Sequence, residues 1–154
     1  MRTFLRYWLP VLGWMLLIFI ASTDLMSAQH TSRFIGPFLR WLVPDISPEA
    51  IGAVQFAVRK AAHVTEYGIL AFLLARALHA RTRVFLWRNG VIALAVAASY
   101  AALDEYHQSF VASRTGSPRD VLIDASGAAL GVLIYRWLSR RGRGAVGAPV
   151  ERQA

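Results

Sequence analysis

Cysteine is missing from all 154 residues, which excludes disulfides, thiolate metal sites and thiol nucleophiles. Charge is scarce: 17% of residues are charged against 56% hydrophobic, with a mean hydropathy of +0.41. That balance, carried in several long apolar runs, points away from a soluble domain and toward an integral membrane protein. No internal repeat is present, no HExxH pattern occurs, and the length suits one domain. Acidic residues are outnumbered 9 to 17 by Lys and Arg, giving +8. The arginines cluster beside apolar runs and the aromatics are spread through those runs, so no nucleic-acid surface is read here.

Four apolar runs organise the chain as an all-α, four-transmembrane-helix bundle with spans at about 7–23, 54–79, 90–108 and 120–138. The first follows Arg2 and Arg6 and carries Tyr7 and Trp8 as interface anchors. Ser22-Thr23-Asp24 and Met26-Ser27-Ala28 make a poor cleavage site, with Met26 at the minus-three position, so the run is read as an uncleaved span. Between spans one and two, Phe34, Ile35, Phe38, Leu39, Trp41 and Leu42 recur at near-helical spacing, interrupted by Gly36-Pro37 and closed by Pro44. This stripe is too short to cross a bilayer and predicts a helix lying in the interface. The third apolar run, Val91–Leu103, has 13 residues, so its helix must continue through Asp104, Glu105 and His107 to reach roughly 20. Gly116 and Pro118 mark a turn before span four, where Gly127-x-x-x-Gly131 permits close helix approach. Residues 140–154 read as a basic, disordered tail after a 1–139 membrane domain.

Arg2, Arg6, Arg76, Arg81, Arg83, Arg88, Arg136, Arg140, Arg141, Arg143 and Arg152 fall on one side of this arrangement, and every carboxylate but Glu151 in the other half. The positive-inside rule then predicts a multi-pass protein of the bacterial inner membrane, both termini cytoplasmic, with its polar residues outward. Those residues form two sets. The run Asp104–Asp124 holds four carboxylates, two arginines, a histidine and a glutamine; Lys60, His63 and Glu66 lie inside span two. Lys60, His63 and Tyr67 share a helix face with Glu66 beside them, and Tyr100, Asp104 and His107 share another with Gln108. Ionisable groups within spans face protein or water and pair with one another, so the two sets are expected to meet.

The segments RKAAHVTEY (59–67), DEYHQSFV (104–111) and Arg114 through RDVLID (119–124) to GAALG (127–131) resemble the VanZ-like family. These are small bacterial membrane proteins named for one linked to low-level teicoplanin resistance. The resemblance covers most of Tyr7–Trp137. It matches Lys60, His63, Glu66, Tyr67, Asp104, Glu105, Gln108, Arg114, Asp120 and Asp124 to motif positions, and it implies a role at the cell envelope without implying a reaction. Two departures are Ala112-Ser113, where the family often has Pro-Gly, and Asp124, where many relatives carry Asn.

Three readings of the polar set stay open. In the first, His63, Glu66, Asp104 and Glu105 do acid–base chemistry. Lys60, Tyr67, His107, Gln108, Arg114, Arg119, Asp120 and Asp124 then bind a lipid-linked or otherwise anionic envelope substrate. In the second, an ion-pair network fixes helix register, Lys60 and Arg114 neutralising Asp104 and Asp120 while His63 bonds Glu66. In the third, the groups relay protons for a transporter. No cofactor is evident; His63, Glu66, Asp104, His107, Asp120 and Asp124 are ligand types for zinc or a harder divalent ion.

Overall fold

The computed structural model describes residues 1–23, 28–82, 84–110 and 117–144. They form five helices: α1 (Arg2–Ser22), α2 (Ala28–Leu42), α3 (Pro48–Leu78), α4 (Trp87–Gln108) and α5 (Pro118–Gly144). The all-α expectation holds. Three of the helices are long and apolar enough to cross a membrane, over Phe4–Ser22, Pro48–Leu78 and Pro118–Arg141. The expected third span, α4, has 22 residues but falls short in apolarity, because Arg88 opens it and Asp104, Glu105, His107 and Gln108 close it.

The helix ends follow local chemistry. Helix α3 begins before the expected residue 54, because Ser47 caps it, accepting from Ala50 N at 3.2 Å, and Pro48 and Glu49 occupy its first turn. At 31 residues it is roughly 46 Å long at about 1.5 Å per residue, more than a span requires. Helix α2 runs unbroken through Pro37, where an interruption was expected. The carbonyl that proline releases belongs to Arg33, an exposed residue, so solvent can satisfy it. Its Gly36 faces Ile51 and Gln55 of α3, while Phe34, Phe38 and Trp41 are exposed. Helix α5 passes the expected end at 138 and takes up Arg140–Gly144, the start of the segment read as a disordered tail. There the Ser139 hydroxyl donates to Tyr135 O at 2.7 Å, and Arg141 lies 3.7 Å over the Trp137 ring. The remainder of that tail lies outside the described residues.

Contacts fix the helix directions. Trp14 Nε1 donates to Glu66 O at 2.9 Å and Arg76 covers the Tyr7 ring at 5.0 Å, so α1 and α3 run antiparallel. Tyr100 Oη donates to Met15 O at 2.8 Å, and Phe19 meets His107 further along, so α1 and α4 run parallel. Helices α3 and α5 are also parallel, pairing Lys60 with Asp120, Val64 with Gly127, Gly68 with Gly131 and Phe72 with Tyr135. The start of α1, the α3–α4 turn and the end of α5 therefore share one end of the bundle, rich in arginine. His79 holds that turn: Nε2 accepts from Leu86 N at 2.9 Å and Nδ1 lies 2.7 Å from Ala75 O.

The core is small-residue packing. Ala93, Ala97 and Ala101 of α4 are fully buried against Tyr67, Leu70, Ala71 and Ala75 of α3 and Ala128 of α5. Outward, α1 exposes Leu9, Leu12, Leu16, Phe19 and Ile20, and α5 exposes Leu122, Leu130, Leu133 and Ile134. Apolar inside and outside suits helices whose solvent is lipid.

Helices α3 and α5 touch backbone to backbone. A Cβ on Gly127 would stand 2.3 Å from Val64 O, and one on Gly131 would stand 2.0 Å from Gly68 O. Gly131→Ala is therefore expected to destabilise the detergent-solubilised protein by about 1–3 kcal/mol, the usual range for overpacking, read from unfolding curves. Gly13→Ala, whose Cβ meets nothing within 4 Å, is expected to leave the curve unchanged or shift it upward.

Candidate functional site

The two polar sets do meet. Helix α3 contributes Lys60, His63 and Tyr67 at successive turns of one face, as their spacing predicts. The last turns of α4 contribute Asp104, Glu105 and Gln108, and the first turns of α5 contribute Asp120 and Asp124. The cluster thus sits at the bundle end opposite the arginines, with Asp104, Glu105, Gln108 and Asp124 buried.

Part of it is a satisfied network. Asp104 Oδ2 accepts from Tyr67 Oη at 3.1 Å and from Gln108 Nε2 at 3.0 Å. Lys60, the only lysine in the chain, bonds Asp120, and the Phe56 ring lies 5.2 Å from its ammonium. Glu105 Oε2 accepts from Ser117 N at 2.8 Å, which ties the end of α4 to the start of α5. Of the two carboxylates that Lys60 and Arg114 were expected to neutralise, Lys60 meets Asp120, while Asp104 lies one layer deeper, level with Tyr67 and answered by neutral donors.

The other part is unsatisfied. Asp124 is 0% exposed and, among the described residues, neither of its carboxylate oxygens has a hydrogen-bond partner, nor has Glu105 Oε1. His63 Nδ1 lies 3.2 Å from Asp124 Oδ1, within ion-pair range but off hydrogen-bond alignment. One ligand atom from each of His63, Glu105 and Asp124 falls within 4.8 Å of the others. The sequence reading paired His63 with Glu66; the structure sets it against Asp124 instead, because this side of α3 abuts α5. The site is open at its edge, with side-chain exposures of 19% for His63, 23% for Lys60 and 21% for Asp120.

The other expected residues are placed as follows. The Glu66 backbone carbonyl accepts from the Trp14 indole of α1, while its carboxylate still acts electrostatically on His63. His107 packs its ring 5.1 Å from that of Phe19, on the α1 side of α4, with its buried Nδ1 unpartnered. Arg119 is exposed beside the cluster, its backbone N–H donating to Ser117 Oγ at 3.3 Å. Arg114 lies outside the described residues. The sequence reading missed the Ser117 amide and the Trp14 indole, and it left Glu105 out of the ligand set. A helical-wheel count placed Asp104 with Tyr100 and His107, yet α4 has three neighbours and those two residues turn toward a different one.

These features define a helical membrane protein with a carboxylate–histidine cluster gathered from three helices at one end of its bundle. The family described as VanZ/LLP1 matches residues 7–139, and the chain belongs to that family. No curated protein and no solved structure matches the chain.

Tyr67→Phe removes one of the two donors to a buried carboxylate. The variant is expected to lose about 1–3 kcal/mol in unfolding measurements in detergent. Adding Asp104→Leu is expected to recover part of that loss, since it removes the carboxylate that Tyr67→Phe leaves short of a donor.

Proposed function

We propose that this VanZ/LLP1-family protein binds or acts on an anionic, lipid-linked or phosphorylated component of the cell envelope at the His63–Glu105–Asp124 end of its bundle, and so alters tolerance to glycopeptides such as teicoplanin. The observation that carries the reading is that two buried acids beside His63, Glu105 and Asp124, leave three carboxylate oxygens without a hydrogen bond. A network serving only to hold helices would be satisfied throughout, since an unmatched buried carboxylate costs several kcal/mol. Lys60 and Arg119 form a basic edge, joined by Arg114 in this reading, and grip the anionic group. His63, Glu105 and Asp124 stand inside and do the chemistry, with Asp104, Tyr67 and Gln108 as their support. Glu66 and His107 take peripheral roles.

The reading includes a topology: α1, α3, α4 and α5 cross the bacterial inner membrane, α2 lies in its interface, and both termini are cytoplasmic. Residues 1–139 act as one membrane domain with a basic tail. Support comes from the bundle end where Arg2, Arg6, Arg76, Arg81, Arg88, Arg136, Arg140 and Arg141 gather. It comes also from α4, whose polar end is sheltered by α3 and α5 and need not match the apolarity of a lone span.

A structural role is favoured by one part of the cluster, the satisfied bonds of Asp104 with Tyr67 and Gln108 and of Lys60 with Asp120. The two roles separate in cells. In a teicoplanin-sensitive host, Glu105→Gln and Arg119→Ala are expected to bring protection back to the empty-vector level with unchanged amounts of membrane-inserted protein. A purely structural cluster would instead lower those amounts. Because the chain has no cysteine, topology can be read by single-cysteine labelling. Arg119→Cys is expected to react with an impermeant maleimide on intact spheroplasts, and Arg88→Cys only after lysis.

A further inference from the structure

We propose that His63, Glu105 and Asp124 together hold a divalent transition-metal cation of the zinc or manganese class, with His63 neutral. The proposal deepens the reading above and rests on it for purpose, because an ion there turns an acidic recess into an acceptor for anionic oxygen.

Charge bookkeeping leads to it. Four carboxylates converge: Asp104, Glu105, Asp120 and Asp124. Asp120 is balanced by Lys60, and Asp104 is solvated by two donors. Glu105 and Asp124 remain, 5% and 0% exposed, with three bare oxygens between them. Two carboxylates with a neutral histidine carry two negative charges, which one dication cancels. Such a pair in a low-dielectric interior needs that compensation.

Geometry agrees. Two ligands of a tetrahedral ion with bonds of about 2.1 Å stand about 3.4 Å apart. His63 Nδ1 and Asp124 Oδ1 are 3.2 Å apart and off hydrogen-bond alignment, the relation of two atoms aimed at a third rather than at each other. The three ligand atoms lie within 4.8 Å of one another, so reaching the tetrahedral spacing requires any pair to close by at most about 1.4 Å. One imidazole and two carboxylates suit zinc or manganese better than magnesium, which prefers an all-oxygen octahedron. The Ser117 amide already orients Glu105 through its second oxygen, as outer partners orient ligands in metal sites. Three protein ligands leave a coordination position for water or a phosphate oxygen. The ion would also tie together α3, α4 and α5, each of which supplies one ligand.

The test uses the full chain purified in detergent, stripped with chelator and titrated with zinc or manganese chloride by calorimetry and thermal melting, with cobalt as a spectroscopic probe. The expected result is one ion per chain, a saturable rise in melting temperature, and a visible cobalt spectrum of mixed nitrogen and oxygen ligation. Glu105→Gln and Asp124→Asn are each expected to weaken binding by more than about 100-fold, the upper range for loss of an outer-shell partner. Asp45→Asn, in the exposed α2–α3 connection, keeps it. If Asp124→Asn fails to fold, Glu105→Gln carries the test. Folded protein that takes up no ion overturns the proposal in favour of a protonated His63–Asp124 pair, and so does binding that survives both substitutions. Stoichiometric binding without any change in teicoplanin tolerance overturns the envelope role and leaves the ion site standing. Protection by a protein that binds no ion does the reverse.

Discussion

The structure depends on one constraint: carboxylates held among apolar helices must each be answered by a positive group or by hydrogen-bond donors. Asp120 finds Lys60, Asp104 finds Tyr67 and Gln108, and one oxygen of Glu105 finds the Ser117 amide. Each answer comes with a structural commitment. The first aligns α3 with α5, the second α3 with α4, and the third joins the end of α4 to the start of α5. What is left over after these matches, Asp124 and half of Glu105, marks where the protein spends stability rather than gains it.

The two ends of the bundle solve opposite problems. At one, arginines spread over aromatic faces: Arg76 on Tyr7, Arg136 on Trp87 and Arg141 on Trp137. A guanidinium on a ring keeps its charge near water while its stem lies along apolar surface, which suits a membrane boundary. At the other, charges are drawn inward, where Lys60 meets Asp120 and the remaining carboxylates depend on neutral donors and His63. Chain direction alone separates the ends, since α1 and α4 run one way and α3 and α5 the other.

Much of this was legible in the sequence. The apolar runs located α1, α3, α4 and α5, and the stripe Phe34–Trp41 located α2. Lys60, His63 and Tyr67 at helical intervals foretold a polar face within an apolar helix, and Gly127 and Gly131 foretold a close approach. The boundaries were less legible where capping outweighed hydropathy, as at Ser47-Pro48-Glu49. The last turns of α4 were already read as polar; the neighbours that answer them are what hydropathy cannot count. Pairings were the least legible part. His63 had Glu66 near it on its own helix, while its actual neighbour, Asp124, comes from a helix 55 residues or more further along the chain. Spacing within one helix says which residues share a face; which helix covers that face depends on the order of packing.

The glycine contact between α3 and α5 also has a mechanical side. With backbone against backbone at Val64–Gly127 and Gly68–Gly131, sliding either helix by one residue would drive Ala128 or Val132 into the carbonyls opposite. That contact sets the register in which Lys60, His63, Asp120 and Asp124 face one another. Helix α4 differs: it meets its neighbours through an alanine seam, and at the polar end it is held by bonds that side chains make.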